Sequence, residues 1–152
     1  MRSPLRSVAR PPWTPPEMQP AVVPRMRLLL ADENVQLVAT LRLRLESAGY
    51  DVSVAFNGRD AIAQQERSPA GVLVVGLVMP ECDGFEAIEI FRRRFPDTRI
   101  VAIAGGARLR AALYLSAAAL IGVDATLQKP FDADALLCTL RLLQAGMVPA
   151  TT

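Results

Sequence analysis

The chain has 152 residues, 51% of them hydrophobic, with 17 basic and 15 acidic side chains and no histidine. That length allows one domain with a proper core, and the missing histidine excludes Ser-His-Asp and Cys-His catalysis, an HExxH zinc helix and a phosphohistidine relay. Cys82 and Cys138 stand far apart without a CxxC, so two reduced thiols of a cytoplasmic protein are expected rather than a disulfide or a metal site, and no apolar run approaches the roughly 18 residues of a membrane span.

Residues 1–25 hold seven of the 12 prolines, and Arg2, Arg6, Arg10 and Arg25 against Glu17 alone. They lack apolar periodicity and read as a disordered or polyproline-like extension, with no secretory signal. PPWTPP at 11–16 has the composition of a proline-rich docking ligand, although an idle extension is the simpler reading. Met26, directly before the first strand, competes with Met1 as the start. The excess positive charge resides in this extension, and residues 26–152 are near neutral. Arg92-Arg93-Arg94 and the pair Arg108 and Arg110 read as solvated helix faces, so no nucleic-acid partner is expected.

From Met26 onward, strands and helices alternate. Arg27 to Ala31 is a strand ending in Asp32-Glu33. Asn34 caps a helix through Val38, Leu41 and Leu45, which Gly49 stops. Asp51 to Ala55 is a second strand, followed by an Asn57-Gly58 turn and a helix to about Ser68. Gly71 to Leu77 is apolar on both faces, as a central parallel strand should be. Gly84 opens a helix with Phe85, Ile88, Phe91 and Phe95 on one side. Arg99 to Ala104, a Gly105-Gly106 turn and a helix over 107–121 come next. Asp124 to Gln128 is the fifth strand, and Asp132 caps a last helix through Leu136, Leu140 and Leu143 to Gly146. Five βα units with short connections predict a doubly wound, five-stranded parallel sheet in a flavodoxin-like three-layer α/β/α arrangement. The expected division is an extension at 1–25, one domain at 26–146 and a tail at 147–152.

In such sheets the functional crevice lies at the carboxyl ends of the strands. There the sequence places Asp32 and Glu33, Gly76, Ala104 and Lys129. Paired carboxylates suit a hard cation and an ammonium suits phosphoryl oxygens, which together suggest phosphoryl chemistry. Taken singly, the same residues read as a cap and a salt bridge.

Residues 26 to about 146 resemble the receiver domain of the response-regulator family. The resemblance rests on Leu28-Leu29-Leu30-Ala31-Asp32-Glu33-Asn34, on Met79-Pro80 with Asp83-Gly84, and on Gly122-Val123-Asp124 with Lys129-Pro130-Phe131. It implies a domain that takes a phosphoryl group from a histidine kinase onto an aspartate four residues before the Met-Pro proline. Counting back from Pro80 gives Gly76, which has no side chain to form an acyl phosphate. A metal site there would keep only Asp32, Glu33 and the Val78 carbonyl. The family's strand-four hydroxyl is replaced by Ala104, and its switch aromatic by Thr126. Asp32, Glu33, Lys129 and Pro130 remain, and the resemblance implies a cis bond before Pro130.

The expected protein is therefore a degenerate, phosphorylation-independent receiver of two-component signalling, not an enzyme. Cofactors are expected to be none, with Mg²⁺ at most weak. Lys129 is expected to hold the acidic end of strand one rather than a ligand. Cys82 as an activated thiol and Asp83 as a substitute acceptor are the minor options. With no output domain read after Gly146, the function is expected to be protein contacts, through Leu109, Leu113 and Leu120 among others. Candidate partners are a histidine kinase, another regulator or a second copy, and no membrane. The alternative is a small-molecule or metal sensor using the emptied crevice.

Overall fold

A computed structural model of the chain describes residues 26–147. The elements run β1 (Arg27–Ala31), α1 (Val35–Ser47), β2 (Asp51–Ala55), α2 (Gly58–Arg67), β3 (Val72–Gly76), α3 (Gly84–Arg94), β4 (Arg99–Ala104), α4 (Arg108–Leu120), β5 (Ala125–Gln128) and α5 (Ala133–Gln144). The five strands form one parallel sheet in the order β2-β1-β3-β4-β5. This is the expected three-layer fold. The readings for 1–25 and for the tail beyond Met147 lie outside the described residues.

Alternation along each strand divides the core into two layers. Leu28, Leu30, Val72, Val74, Val101 and Ile103 pack against α1 and α5. Leu29, Ala31, Leu73, Val75, Ile100 and Ala102 pack against the helices of the opposite face. Every residue of β3 is buried, which is why its sequence shows no polar alternation. On α1, Val38, Leu41 and Leu45 face the sheet at helical spacing, as read from the sequence.

Four helices start on a side-chain cap. Asn34, Asn57, Asp83 and Asp132 accept hydrogen bonds from the backbone N–H groups of Leu37, Asp60, Glu86 and Ala135. Asn57-Gly58 is thus the start of α2 itself rather than a separate turn. Helix α4 has no such cap.

One arginine departs from its expected role. Arg92 is not part of a solvated face. It donates to Asp124 at 2.7 Å and to the Thr98 carbonyl at 3.1 Å. Asp124 also accepts from the Ile100 N–H at 2.7 Å, so one carboxylate ties the end of α3 to the start of β4 beside β5. Its neighbours Arg93 and Arg94 are exposed, as a run of three on a helix requires when one member turns inward. Asp124→Ala should lower stability by about 1–3 kcal/mol, because it strips a charge-assisted acceptor from two donors. Urea unfolding of the variant against the parent measures this.

Candidate functional site

The strand order reverses direction between β1 and β3, and crevices in open α/β sheets form at such points. Asp32 directly follows β1 and Gly76 ends the adjacent β3. The crevice there has a volume of about 470 Å³ and includes Asp32, Glu33, Gly76, Ala104, Arg110, Tyr114 and Lys129 in its wall. Backbone bonds fix its geometry. Asp32 N–H donates to the Ala55 carbonyl at 3.1 Å, Leu77 N–H to Ile103 at 3.0 Å, and Lys129 N–H to Ala104 at 2.7 Å.

Asp32 and Lys129 are joined. The Lys129 ammonium donates to Asp32 Oδ2 at 2.8 Å, and the Asn34 N–H donates to Asp32 Oδ1 at 2.8 Å. The Asp32 side chain is 2% exposed and that of Lys129 is 26%. A nearly buried carboxylate is thus satisfied at both oxygens, and the bond crosses from β1 to β5. Glu33 lines the same crevice but is exposed and takes no part in this bond. Both carboxylates thus line the crevice as expected, and only Asp32 pairs with the ammonium.

Gly76 lies beside this bond. A β-carbon placed on it would collide with Asp32 Oδ2 and stand 3.0 Å from Asp32 Cγ. The Asp32 carboxylate fills the space that any side chain at position 76 would need. Gly84 is also confined: a β-carbon there would strike the Gly76 carbonyl oxygen. That close approach seats the first turn of α3 against the end of β3, and the Gly84 N–H donates to Leu77 at 3.1 Å.

The other positions singled out by the sequence lie around this centre. Ala104 is buried beside the crevice. Thr126 is buried within β5, and its hydroxyl has no hydrogen-bond partner among the described residues. The Lys129–Pro130 peptide is cis, as the resemblance implied. Leu109, Leu113 and Leu120 are exposed on α4, away from the crevice.

Sequence reading missed Arg110 and Tyr114. Arg110 is exposed, as a solvated face requires, and it also lines the crevice together with Tyr114 one turn on. Tyr114 is held by an edge-on contact with Phe85, ring centres 5.9 Å apart. Their four-residue spacing, offset from the core stripe of Ala111, Leu115 and Ala118, was the available signal.

The substitutes considered on the loop after β3 lie in surroundings that do not favour those roles. Asp83 accepts from the Glu86 N–H at 2.9 Å as the cap of α3. Cys82 lies beside Glu86 and Asp83 rather than beside an ammonium. Burial and these carboxylates push its thiol up to about 11. An activated thiol needs the opposite environment.

A receiver domain would be expected to hold Mg²⁺ here, and the residues present do not fit it. Hard cations take several free oxygens in octahedral array. Asp32 is already bonded at both oxygens, and position 76 brings no side chain. Among the described residues, no group of three His, Cys, Asp or Glu side chains is placed to hold a metal ion.

Comparison with known proteins agrees with this architecture. The family model for the response regulator receiver domain matches residues 28–141. The chain is 29% identical over 117 residues to the acid tolerance regulatory protein ActR of Rhizobium meliloti, covering 77% of this chain and 59% of ActR. It is 31% identical over 107 residues to the photosynthetic apparatus regulatory protein RegA of Cereibacter sphaeroides, covering 70% of this chain and 56% of RegA. The chain thus spans less than two thirds of these relatives' length. Among solved structures, the chemotaxis response regulator CheY4 of Vibrio cholerae is 26% identical with a TM-score of 0.68, over 77% of this chain and 97% of CheY4. The isolated receiver domain of RcsB from Salmonella enterica aligns with a TM-score of 0.72 at 24% identity, over 82% of this chain and 92% of that one. Among the described residues, no helix is long and apolar enough to cross a membrane.

Three outcomes test this geometry. Lys129→Met leaves Asp32 without its counter-charge and should cost about 3–4 kcal/mol, the lower part of the range for breaking a buried pair because Lys129 is partly exposed. Denaturant unfolding reads it. Gly76→Ala should destabilise by about 1–3 kcal/mol through the collision with Asp32, and should cost much less when made in an Asp32→Ala background. Additive losses in that cycle would refute the contact. Cys82 should react with iodoacetamide at pH 8 at least tenfold more slowly than free cysteine, as its raised thiol keeps little thiolate. Quantifying the modified Cys82 peptide by mass spectrometry checks this.

Proposed function

Because the chain belongs to the response regulator receiver domain family, we propose that it is a receiver of two-component signalling that works without being phosphorylated, through contacts with other proteins. The observation that carries this reading is the position of Asp32 Oδ2 in the volume a side chain at Gly76 would occupy, fixed there by Lys129. Phosphoryl transfer to a receiver needs a carboxylate nucleophile at that position, an acidic cluster free to bind metal, and a lysine free to meet the phosphoryl oxygens. Here the nucleophile is glycine and the carboxylate and lysine satisfy each other.

The transmitting parts are reduced in the same way. A modification switches a protein by biasing an element with two states. Ala104 has no hydroxyl to draw toward a phosphoryl group, and Thr126 is small and enclosed in β5. On this reading the crevice is a structural clamp with no enzymatic role, and Mg²⁺ binds weakly or not at all. Output falls to exposed surface, of which the Leu109, Leu113 and Leu120 face of α4 is one apolar part among the described residues. The relatives' names describe regulators of acid tolerance and of the photosynthetic apparatus. They support regulation as the class of function, with no pathway assigned to this chain.

A second reading takes the crevice itself as a sensor of a small molecule or metal ion. Its support is the volume of about 470 Å³ with Arg110 and Tyr114 in the wall. The Asp32–Lys129 bond weighs against it, since a ligand for either group must displace the other.

Incubation with acetyl phosphate and Mg²⁺ should leave the intact mass unchanged, and titration calorimetry should show no Mg²⁺ affinity as tight as micromolar. A stable adduct of one phosphate, acid-resistant and alkali-labile, would overturn the proposal.

A further inference from the structure

Helix α1 is covered on one flank and open on the other. Towards α5, Arg44 meets Asp134 at 2.7 Å. On the opposite flank the sheet ends at β2. There α1 and β2 enclose a groove of about 440 Å³, within the range of sites that bury a small ligand. Val35, Ala39 and Leu43 line it from one face of α1, and Val54 and Phe56 from β2 and the residue just after it. Val35, Leu43 and Phe56 are 63%, 67% and 40% exposed. The two charged residues of the lining, Arg42 and Glu46, meet each other at 3.2 Å. The groove is thus an apolar surface with its charge balanced, and such a patch marks a contact.

The chain carries a segment of matching chemistry. Arg10 and Glu17 bracket the uncharged Pro11-Pro12-Trp13-Thr14-Pro15-Pro16. Four prolines among these residues restrict the backbone and favour a polyproline helix, about 19 Å long at about 3.1 Å per residue. The lining of α1 from Val35 to Glu46 runs about 17 Å at about 1.5 Å per residue. With three residues per turn, Trp13 and Pro16 fall on one edge of such a helix and Pro12 and Pro15 on the next. Pro11 and the polar Thr14 form the edge left to water. Proline-rich segments dock in this way, laying apolar edges into a groove walled by aromatic and aliphatic side chains.

Covalent connection selects this segment over an outside ligand. Tyr50 N–H donates to the Leu45 carbonyl at 3.1 Å, and Asp51 N–H to the Met26 carbonyl at 2.9 Å. The end of α1 that carries Glu46 is therefore close to the point where the chain enters β1. Residues 17–25 separate Pro16 from Met26, and a connection of that length can span about 30 Å. Such a tether holds the segment at an effective concentration near millimolar. A contact too weak to form between molecules then forms within one.

We propose that Pro11-Pro12-Trp13-Thr14-Pro15-Pro16 lies along the α1–β2 groove of its own chain, with the Trp13 indole against Leu43 and Phe56. The extension is then an intramolecular cover for the open flank of α1, and a protein that binds this flank must first displace it.

Trp13 is the only tryptophan of the chain, so its fluorescence reports the contact directly. In the native full chain its emission should be blue-shifted from that of a free peptide of residues 10–17, and acrylamide should quench it about threefold less efficiently. Diluting the protein about a hundredfold should change neither property, because the contact is intramolecular. Val35→Glu and Leu43→Glu alter exposed positions and spare the core. With circular dichroism unchanged, each should return emission and quenching to the values of the peptide. Leu113→Glu, on α4, should leave both as in the parent. Peptide-like emission in the parent would overturn the inference and leave the groove to another protein. Protection that survives both groove variants would overturn it too, as would protection lost on dilution, which would assign the segment to a second copy. None of these readouts depends on phosphorylation, whose absence is tested separately by intact mass.

Discussion

The bond between the Lys129 ammonium and Asp32 Oδ2 is the constraint on which the functional end of the molecule depends. A carboxylate 2% exposed must be satisfied where it is buried, and Lys129 with the Asn34 N–H does so. The bond spans the carboxyl edge of the sheet from β1 to β5, within the crevice wall. It is possible in this form because β3 ends in glycine: with a side chain at position 76, Asp32 Oδ2 could not occupy its place. Absence at one strand end and satisfaction at its neighbour are the same packing fact.

The fold was legible because its signals are strong and local. Strands β1, β3 and β4 are short apolar runs, the helices carry apolar residues at helical spacing, and four of the five begin on Asn or Asp. The site was legible in part. Position along the chain locates Asp32, Gly76, Ala104 and Lys129 at strand ends, since the ends of parallel strands meet at one edge. What could not be read is which side chains turn inward. Glu33 follows Asp32 directly yet is exposed. Arg92 leaves its two arginine neighbours to meet Asp124, 32 residues on. Such pairings depend on inter-element distances, which no local pattern encodes. The thiol of Cys82 is the same kind of case, decided by where Glu86 and Asp83 come to lie.

Helix α4 combines three environments within 13 residues. One face packs on the sheet, one turns Arg110 and Tyr114 to the crevice, and one presents leucines to solvent. A helix that borders both the crevice and an outer surface links them mechanically, because a rigid cylinder cannot shift one face without the others. Its start has no side-chain cap, although the Gln128 amide donates to the Arg108 carbonyl at 3.3 Å and ties this end to β5.

The placement of Asp32 also bears on reversibility in evolution. A mutation that returned a carboxylate to position 76 would enter a volume already filled, beside a lysine already engaged. Its first effect would be a loss of stability rather than a gain of chemistry. Asp32 would have to shift for such a change to be neutral, so the two positions are coupled. Packing of this sort ties one position to the other, so that a side chain at 76 is accommodated only as the Asp32 carboxylate shifts.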